Sequence, residues 1–575
     1  MFKQIGFWDG GITGDGWTLE LYEDTTSQFV VNTEMQLVHS EDLVIISGAQ
    51  SANELTGYLS TQVRFTLYDE GDYFLSKLEN SQKKDLRLFV KKDGNIQYKL
   101  NLLPELGSFE KTPFTNELAI TATDLINNLD STYTGFVTGD SHITLAELFR
   151  LSFAQLGYDL PFRFILDWTH SNNASGFAPS LIKVPPEFIA KHAQKSIYPT
   201  YWEMVKAATE AFNLQVFQDK GYYYIREIPA MKSPFIYEYS SVGAEAATYT
   251  PSDKSINAQL PCYKVGKTRK NPNISVAFNY EKNNAVGNLK NNNFSSFTGG
   301  VPEHWALNAG TVTDLVNGIE VNTSIDLEQE AQRTYKSGET FKSTINCEIE
   351  ADFSNDLDTD LVNVIEYKGI SLDGESDFTE KKGLLIGEGY NQLQITYNIT
   401  PPAGFTGYIR VRIIWEPDNS SPYVVNYIRV REVTGEYDYP ANTKSRKITE
   451  SYRANTDYQK REISISDQNP YSSRNVIQFK HSSGRWSNSF DWGGLTHQER
   501  LAKSLSEVLN GVRNRRTGKV YTKDFDFSVS DRLIKDGINF ICYYYLRSIF
   551  KRQIEFTAIE IDSDATGLNY QEREE

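Results

Sequence analysis

Polar and apolar residues alternate at 61–68, TQVRFTLY, where Val63, Phe65 and Leu67 share one side. This period of two predicts a half-buried strand. Two similar runs, around Leu86, Leu88 and Val90 and around Ile96, Tyr98 and Leu100, flank Asp93-Gly94. Asp-Gly readily takes the positive φ angles of a tight turn, so residues 85–105 read as a β-hairpin. A further strand is predicted at 118–124. The period becomes helical at 144–157, where Leu145, Leu148, Phe149, Ser152, Phe153 and Leu156 fall on one face. Thr144 and Glu147 form a capping box ahead of it, and Gly157 ends it. A second helix is predicted over about 201–212, with Trp202, Val205, Thr209 and Phe212 in register. It runs into a hairpin at 214–228 that turns at Asp219-Lys220-Gly221.

Residues 250–290 are polar and rich in Asn and Lys, with Pro251, Pro261 and Pro272, and read as a connecting region. From 291 to 435 the pattern is all strand, for example at 343–353, 391–399, 407–416 and 423–433. Strands of this number and spacing predict a β-sandwich. After 436 comes another linker-like stretch. A helix capped by Thr496 and Glu499 follows, with Leu501, Leu505, Val508 and Leu509 on its apolar face, and then a strand at 553–561. The fold class expected is mainly β with a few helices (α+β), in three parts: 1–290, 291–435 and 436–575.

Length and composition narrow the function. A chain of 575 residues is too long for one core. Its net charge of -17 argues against generic phosphate binding through a basic surface. Cys262, Cys347 and Cys542 are too few and too far apart for a disulfide framework or a metal knuckle. The start, MFKQIGFWDGG, lacks the basic-then-apolar order of a signal peptide, and no apolar run is long enough for a membrane span. The expectation is a protein made in a host cytoplasm without its own export route.

The ordered series in 61–228 resembles the tail hub (baseplate hub) proteins of tailed bacteriophages. It comprises the strand at 61–68, the hairpin LRLFVKKDGNIQYKL, the segment LAITATDLINNLDS, the capped helix at 144–156 and the unit YWEMVKAATEAFNLQVFQDKGYYYIRE. Residues 495–561 look like the closing helix and strands of the same scaffold. The resemblance implies small β-barrels packed side by side into a ring and a homotrimer in the virion. It also implies contacts with distal tail and tail-tube proteins, the tape-measure protein and tip or fibre proteins. DNA would pass through without specific binding.

The stretch 291-NNNFSSFTGGVPEHWAL-307 resembles the opening of jelly-roll carbohydrate-binding modules, so the sandwich reads as an insertion into a hub loop. Such insertion is tolerated when the module's ends lie close together. Members of that group often hold a structural calcium with acidic residues at two places, where this chain has Ser295 and Asn426. Two lost carboxylates weaken a hard-cation site. No cofactor is therefore expected, and calcium only as a weak site at Asn293 and Asn426.

Sugar binding needs an exposed aromatic platform with amide and carboxylate groups beside it. Trp305 and Trp415 are candidates, with Tyr397 and Tyr423 behind them and Asp418 and Asn419 on the loop 416–423. Each tryptophan reads equally as core filling. Catalysis finds no support: Glu348, Glu350 and Asp352 alternate along one strand and read as a solvated face. The seven histidines are scattered, and no phosphate loop or nucleophile elbow occurs. Trp486 and Trp492 read as packing or interface anchors. Arg513, Arg515, Arg516 and Lys519 read as partners for acidic patches on a neighbouring subunit. The function expected is a trimeric structural hub at the distal end of a phage tail that gates the DNA channel and carries an outward glycan-binding module. The alternatives are a tail-tip receptor-recognition protein and the hub of a contractile injection system, with a polysaccharide-degrading enzyme behind both.

Overall fold

In the computed structural model, the described residues are 2–10, 16–26, 30–38, 42–48, 57–69, 71–81, 85–103, 108–111, 116–131, 143–168, 177–184, 200–227, 235–242, 245–246, 253–255, 263–267, 273–280, 289, 291–353, 359–372, 374–415, 423–438, 446–451, 461–467, 478–480, 486–487, 500, 504, 514–561 and 570–574. Among them strands predominate, and the α-helices are Tyr73–Glu79, Leu145–Ala154 and Tyr201–Phe212. The mainly β fold class expected from the sequence is the one observed.

Local chemistry accounts for the first elements. The strand Thr61–Tyr68 buries Val63, Phe65 and Leu67. The strands Leu86–Lys92 and Asn95–Leu102 form the expected hairpin, with Asp93 at φ 50° and Gly94 at φ 78°. The helix Leu145–Ala154 has Thr144 Oγ1 accepting from the Glu147 amide at 3.1 Å, but its capping box is one-sided. Glu147 lies three residues before Arg150, whose Nε donates to its carboxylate at 2.6 Å and draws it off the helix end. The full reciprocal box is at Thr200 and Glu203, ahead of Tyr201–Phe212. The helix expected near 496–509 lies outside the described residues except for Arg500 and Ser504.

Long-range pairing assembles these pieces. One sixteen-stranded sheet draws strands from both ends of the chain. The strand Val44–Gly48 pairs with Thr61–Tyr68 on one side and with Ile538–Ser548 on the other, Val44 facing Ser548 and Gly48 facing Tyr544. The resemblance implied separate small barrels side by side. The observed sheet is continuous because Val44–Gly48 takes partners from both flanks. The connecting region expected at 250–290 also contributes strands. Asp253–Ser255 pairs with Arg532–Lys535, and Tyr263–Lys267 with Asn514–Tyr521. Their partners lie more than 240 residues away, so no local pattern announces them.

The hairpin Leu214–Asp219/Tyr222–Glu227 lies between two cores. Leu214, Val216, Tyr223 and Ile225 join Phe149, Phe153 and Phe164 of the helical unit. Phe217 and Tyr224, of opposite parity, join Val529, Phe540, Tyr545 and Phe556 from the end of the chain. Arg226 sits on that second side with no exposed surface. Its guanidinium donates to Gln215 Oε1 at 2.9 and 2.6 Å, to the Val529 carbonyl at 3.0 Å and to the Cys542 carbonyl at 2.7 Å. Burial pulls its pKa down to about 10, so it remains a cation at neutral pH.

The middle of the chain forms a sandwich of two five-stranded sheets. One orders Ala306–Gly310, Ile325–Lys336, Thr406–Trp415, Thr359–Ser371 and Ser376–Gly387. The other orders Thr313–Leu315, Gly318–Val321, Tyr423–Asp438, Thr340–Phe353 and Gly389–Ile399. Alternate residues point inward, and Ile345, Ile349, Val411, Ile413 and Val430 are among those that fill the core. The strand leading in, Asn273–Tyr280, pairs antiparallel with Arg446–Ser451, which leads out.

Replacing Arg226 with Met should leave the Val529 and Cys542 carbonyls buried without donors and cost about 3 kcal/mol. Urea unfolding of the full chain measures this. Arg226→Lys should not restore the loss, because one ammonium cannot span the fork of acceptors.

Candidate functional site

The residues singled out for sugar binding divide by strand parity. In Thr406–Trp415, Ile409, Val411, Ile413 and Trp415 point inward, so Trp415 is core, at 6% exposure. Trp305 is also buried. Its ring packs on Phe294 at 5.1 Å and its indole N–H donates to the Asn291 carbonyl at 3.3 Å. Neither ring presents a face to a ligand, so the platform expected at these tryptophans is absent. Tyr397 is half-buried against the same core, and its hydroxyl donates to the Gly383 carbonyl at 3.0 Å. Tyr423 pairs through its backbone with Phe353. Asp418 and Asn419 lie outside the described residues, as do Trp492 and Arg513.

The opening loop is stitched together by Asn291. Its Oδ1 accepts from the Ser295 and Ser296 amides at 2.9 and 3.2 Å. Its Nδ2 donates to the Ser296 and Glu303 carbonyls at 2.8 and 3.2 Å. Asn426 is exposed and donates to Asp352 Oδ2 at 3.0 Å. Calcium takes about six to eight oxygen ligands, and beside Asn426 the carboxylate shown is that of Asp352. Among the described residues no group of three or more His, Cys, Asp or Glu side chains is placed to hold a metal ion.

The two outer faces of the sandwich differ. On the sheet containing Thr406–Trp415, charges form a closed lattice. Arg412 reaches Asp326 at 2.7 Å and Glu328 at 3.3 Å, and also holds Glu366. Arg410 bridges Glu328 at 3.0 Å and Glu330 at 2.5 Å, and Lys368 reaches Glu366 at 3.3 Å. The charges on this part of the face are thus engaged with one another.

The opposite face is more open. Along Gly389–Ile399 the outward positions are Tyr390, Gln392, Gln394, Thr396 and Asn398, all exposed. Glu350 of Thr340–Phe353 lies directly between Tyr390 on one neighbouring strand and Tyr427 on the other. One step along, Glu348 lies between Gln392 and Arg429. Tyr390 is 57% exposed. The Arg429 guanidinium sits 4.3 Å over the Tyr427 ring and its Nε donates to Glu320 at 2.5 Å. Partial desolvation, and then the charge of Glu350, hold the Tyr427 hydroxyl above the ordinary tyrosine range. With strands about 4.8 Å apart, the two tyrosines stand roughly 10 Å from one another across Glu350. An open ring at Tyr390, a second at Tyr427 with Arg429 over it, a row of carboxamides and a carboxylate between the rings are group types that stack on sugar rings and bond their hydroxyls.

The outward alternation of Glu348, Glu350 and Asp352 was legible in the sequence, whereas Tyr390 and Tyr427 were missed. The available signals were the polar parity of 392–398 carried back one step, and the alternation Tyr427-x-Arg429-x-Arg431.

No protein-family model matches the chain, and no curated protein does. Among solved structures, a tail protein from Neisseria meningitidis MC58 is 10% identical over 90% of this chain and 92% of its own, with a TM-score of 0.33. The CBM22-1 xylan-binding domain of Paenibacillus barcinonensis Xyn10C is 7% identical over 28% of this chain and 100% of its own, with a TM-score of 0.20. The enzymatically active domain of bacteriophage CBA120 tailspike protein 4 is 15% identical over 25% of this chain and 22% of its own, with a TM-score of 0.17. At such identities and TM-scores none of these likenesses assigns a function.

Removing divalent ions with a chelator should leave the thermal unfolding midpoint of the full chain unchanged. A fall that added calcium reverses, and that Asn426→Ala abolishes, would show that the loop around Asn291 and Asn426 does hold the ion.

Proposed function

We propose that this chain is a structural protein of a tailed-phage particle: the trimeric hub at the distal end of the tail. In that role it links distal tail and tail-tube proteins and the tape-measure protein to tip or fibre proteins, and gates the channel through which DNA passes. Its sandwich faces outward and holds a neutral glycan of the host surface. The observation that carries this reading is the pairing of Val44–Gly48 with Ile538–Ser548. Residues before 290 and after 435 thereby share a sheet and a core, as a ring-forming platform interrupted by an insertion requires. The order of elements in 61–228 supports the hub assignment, and the Tyr390–Glu350–Tyr427 row supports the glycan role.

The glycan proposed is neutral for a physical reason. On this face Arg429 and Arg431 are taken up by Glu320 and Glu348, while Glu350 and Asp352 add negative charge that repels an acidic polymer. We propose no hydrolysis there, because Arg431 holds Glu348 at 3.1 Å within a flat sheet face and not in a cleft. The open face also supports a second reading, in which receptor recognition is the main role and the flanks serve as its mount.

Two measurements test the two halves separately. Affinity of the full chain for neutral host polysaccharides should fall about tenfold in Tyr390→Ala and in Tyr427→Ala. Unchanged binding in both removes the face from the proposal, and sugar release by the purified chain removes its non-catalytic character. Cryo-EM of the intact particle should show three copies at the tail's distal end, and absence of the chain from the particle overturns the hub.

A further inference from the structure

Where the early strands, the central hairpin and the end of the chain meet, a pocket of about 180 Å³ opens to the surface. Lys92 and Trp17 enter it from the first part, Asp219 and Lys220 from the hairpin turn, and Asp526 and Arg547 from the last part. We propose that this pocket binds a carboxylate borne on a small planar apolar body.

Hydrogen-bond capacity within the pocket gives the reason. Every carboxylate there is already bonded. Asp219 accepts from the Tyr98 hydroxyl at 2.8 Å and the Ser530 amide at 3.1 Å. Asp531 accepts from the Ser528 amide at 2.8 Å and from Lys220 Nζ at 2.7 Å. Asp526 serves two cations at once, Lys92 at 3.0 Å and Arg547. That corner therefore carries one net positive charge. The opposite end, with Asp219 and Asp531 against Lys220, carries the reverse, but both carboxylates are buried, at 1% and 2% exposure, and each already accepts two bonds.

Donors remain at the positive corner. An ammonium has three N–H bonds and a guanidinium five. Among the described residues Lys92 donates one, to Asp526. Arg547 uses Nε, to the Tyr545 hydroxyl at 2.6 Å, and Nη2, to Asp526 and the Phe527 carbonyl, which leaves Nη1 available. Both cations lie over the Trp17 ring, at 5.6 and 5.4 Å from its centre. A ligand carboxylate at this corner gains charge-assisted bonds from Lys92 and Arg547, while a flat body fills the space whose wall Trp17, Gln97 and Phe527 help to line. A cation at this corner would meet the net positive charge of Lys92 and Arg547 and no acceptor but Asp526, which already serves both.

Titration calorimetry of the full chain with benzoate, benzyl alcohol and benzylamine tests the proposal, because the three differ mainly in the charge and hydrogen bonding of one substituent. Benzoate should bind saturably, with the other two at least about tenfold weaker, the worth of one charge-assisted bond. Lys92→Met should weaken benzoate by about the same factor. Arg547 still holds Asp526 in that variant, so the fold should persist. Should Lys92→Met nevertheless unfold, Gln97→Glu provides the second arm, since it adds a carboxylate to the pocket wall and should weaken benzoate likewise. Benzylamine binding as tightly as benzoate, or benzoate binding that a folded Lys92→Met or Gln97→Glu leaves unchanged, overturns the proposal.

Discussion

The hairpin 214–227 has no solvent side. Leu214, Val216, Tyr223 and Ile225 belong to one core and Phe217 and Tyr224 to another, so it works as a wall with packed cores on both faces. A wall of this kind must satisfy its polar side chains internally, because a buried group without a partner costs more than the bond it would have made. Arg226 meets that requirement with carbonyls more than 300 residues further along the chain. Glu227 is held by Arg500 at 2.9 Å, and Asn213 by Ser504 at 2.9 Å. The early and late parts of the chain are thus tied through buried polar groups, and the continuous sheet through Val44–Gly48 is the backbone counterpart of the same tie.

The sandwich is closed by contacts of its own. Its chain arrives and leaves on the antiparallel strands Asn273–Tyr280 and Arg446–Ser451, and its first turn is bonded to its last strand, the Val433 amide donating to the Asn292 carbonyl at 2.8 Å. With both ends held together, the intervening residues can form their own core. That separation leaves the outward faces of the sandwich free to differ. One is closed by the lattice around Arg410 and Arg412, and the other leaves Tyr390 and the glutamines beside it in water.

Strand parity decides which of the large rings are buried and which reach the surface. A large ring is drawn inward wherever strand parity allows it, since its buried area is among the greatest of any side chain. Trp415 falls in phase with Ile409, Val411 and Ile413, and Trp305 closes the turn against Phe294. Tyr390 and Tyr427 fall on the polar parity. They become neighbours only because both strands pair with Thr340–Phe353 in a register that places Glu350 opposite each of them.

By itself the sequence determined what neighbours in the chain can enforce: the strand 61–68, the Asp93-Gly94 turn, the helices at 145–154 and 201–212 and the alternation of the sandwich strands. Each follows from periodicity or from the φ preference of a few adjacent residues. Tertiary structure alone decided which strands pair across hundreds of residues, why the polar stretch at 250–290 holds strands at all, and which aromatic rings reach the surface. Backbone pairing is nearly indifferent to side-chain identity. Partner and register were therefore chosen by burial and by buried polar groups such as Arg226, whose acceptors no reading of adjacent residues can supply.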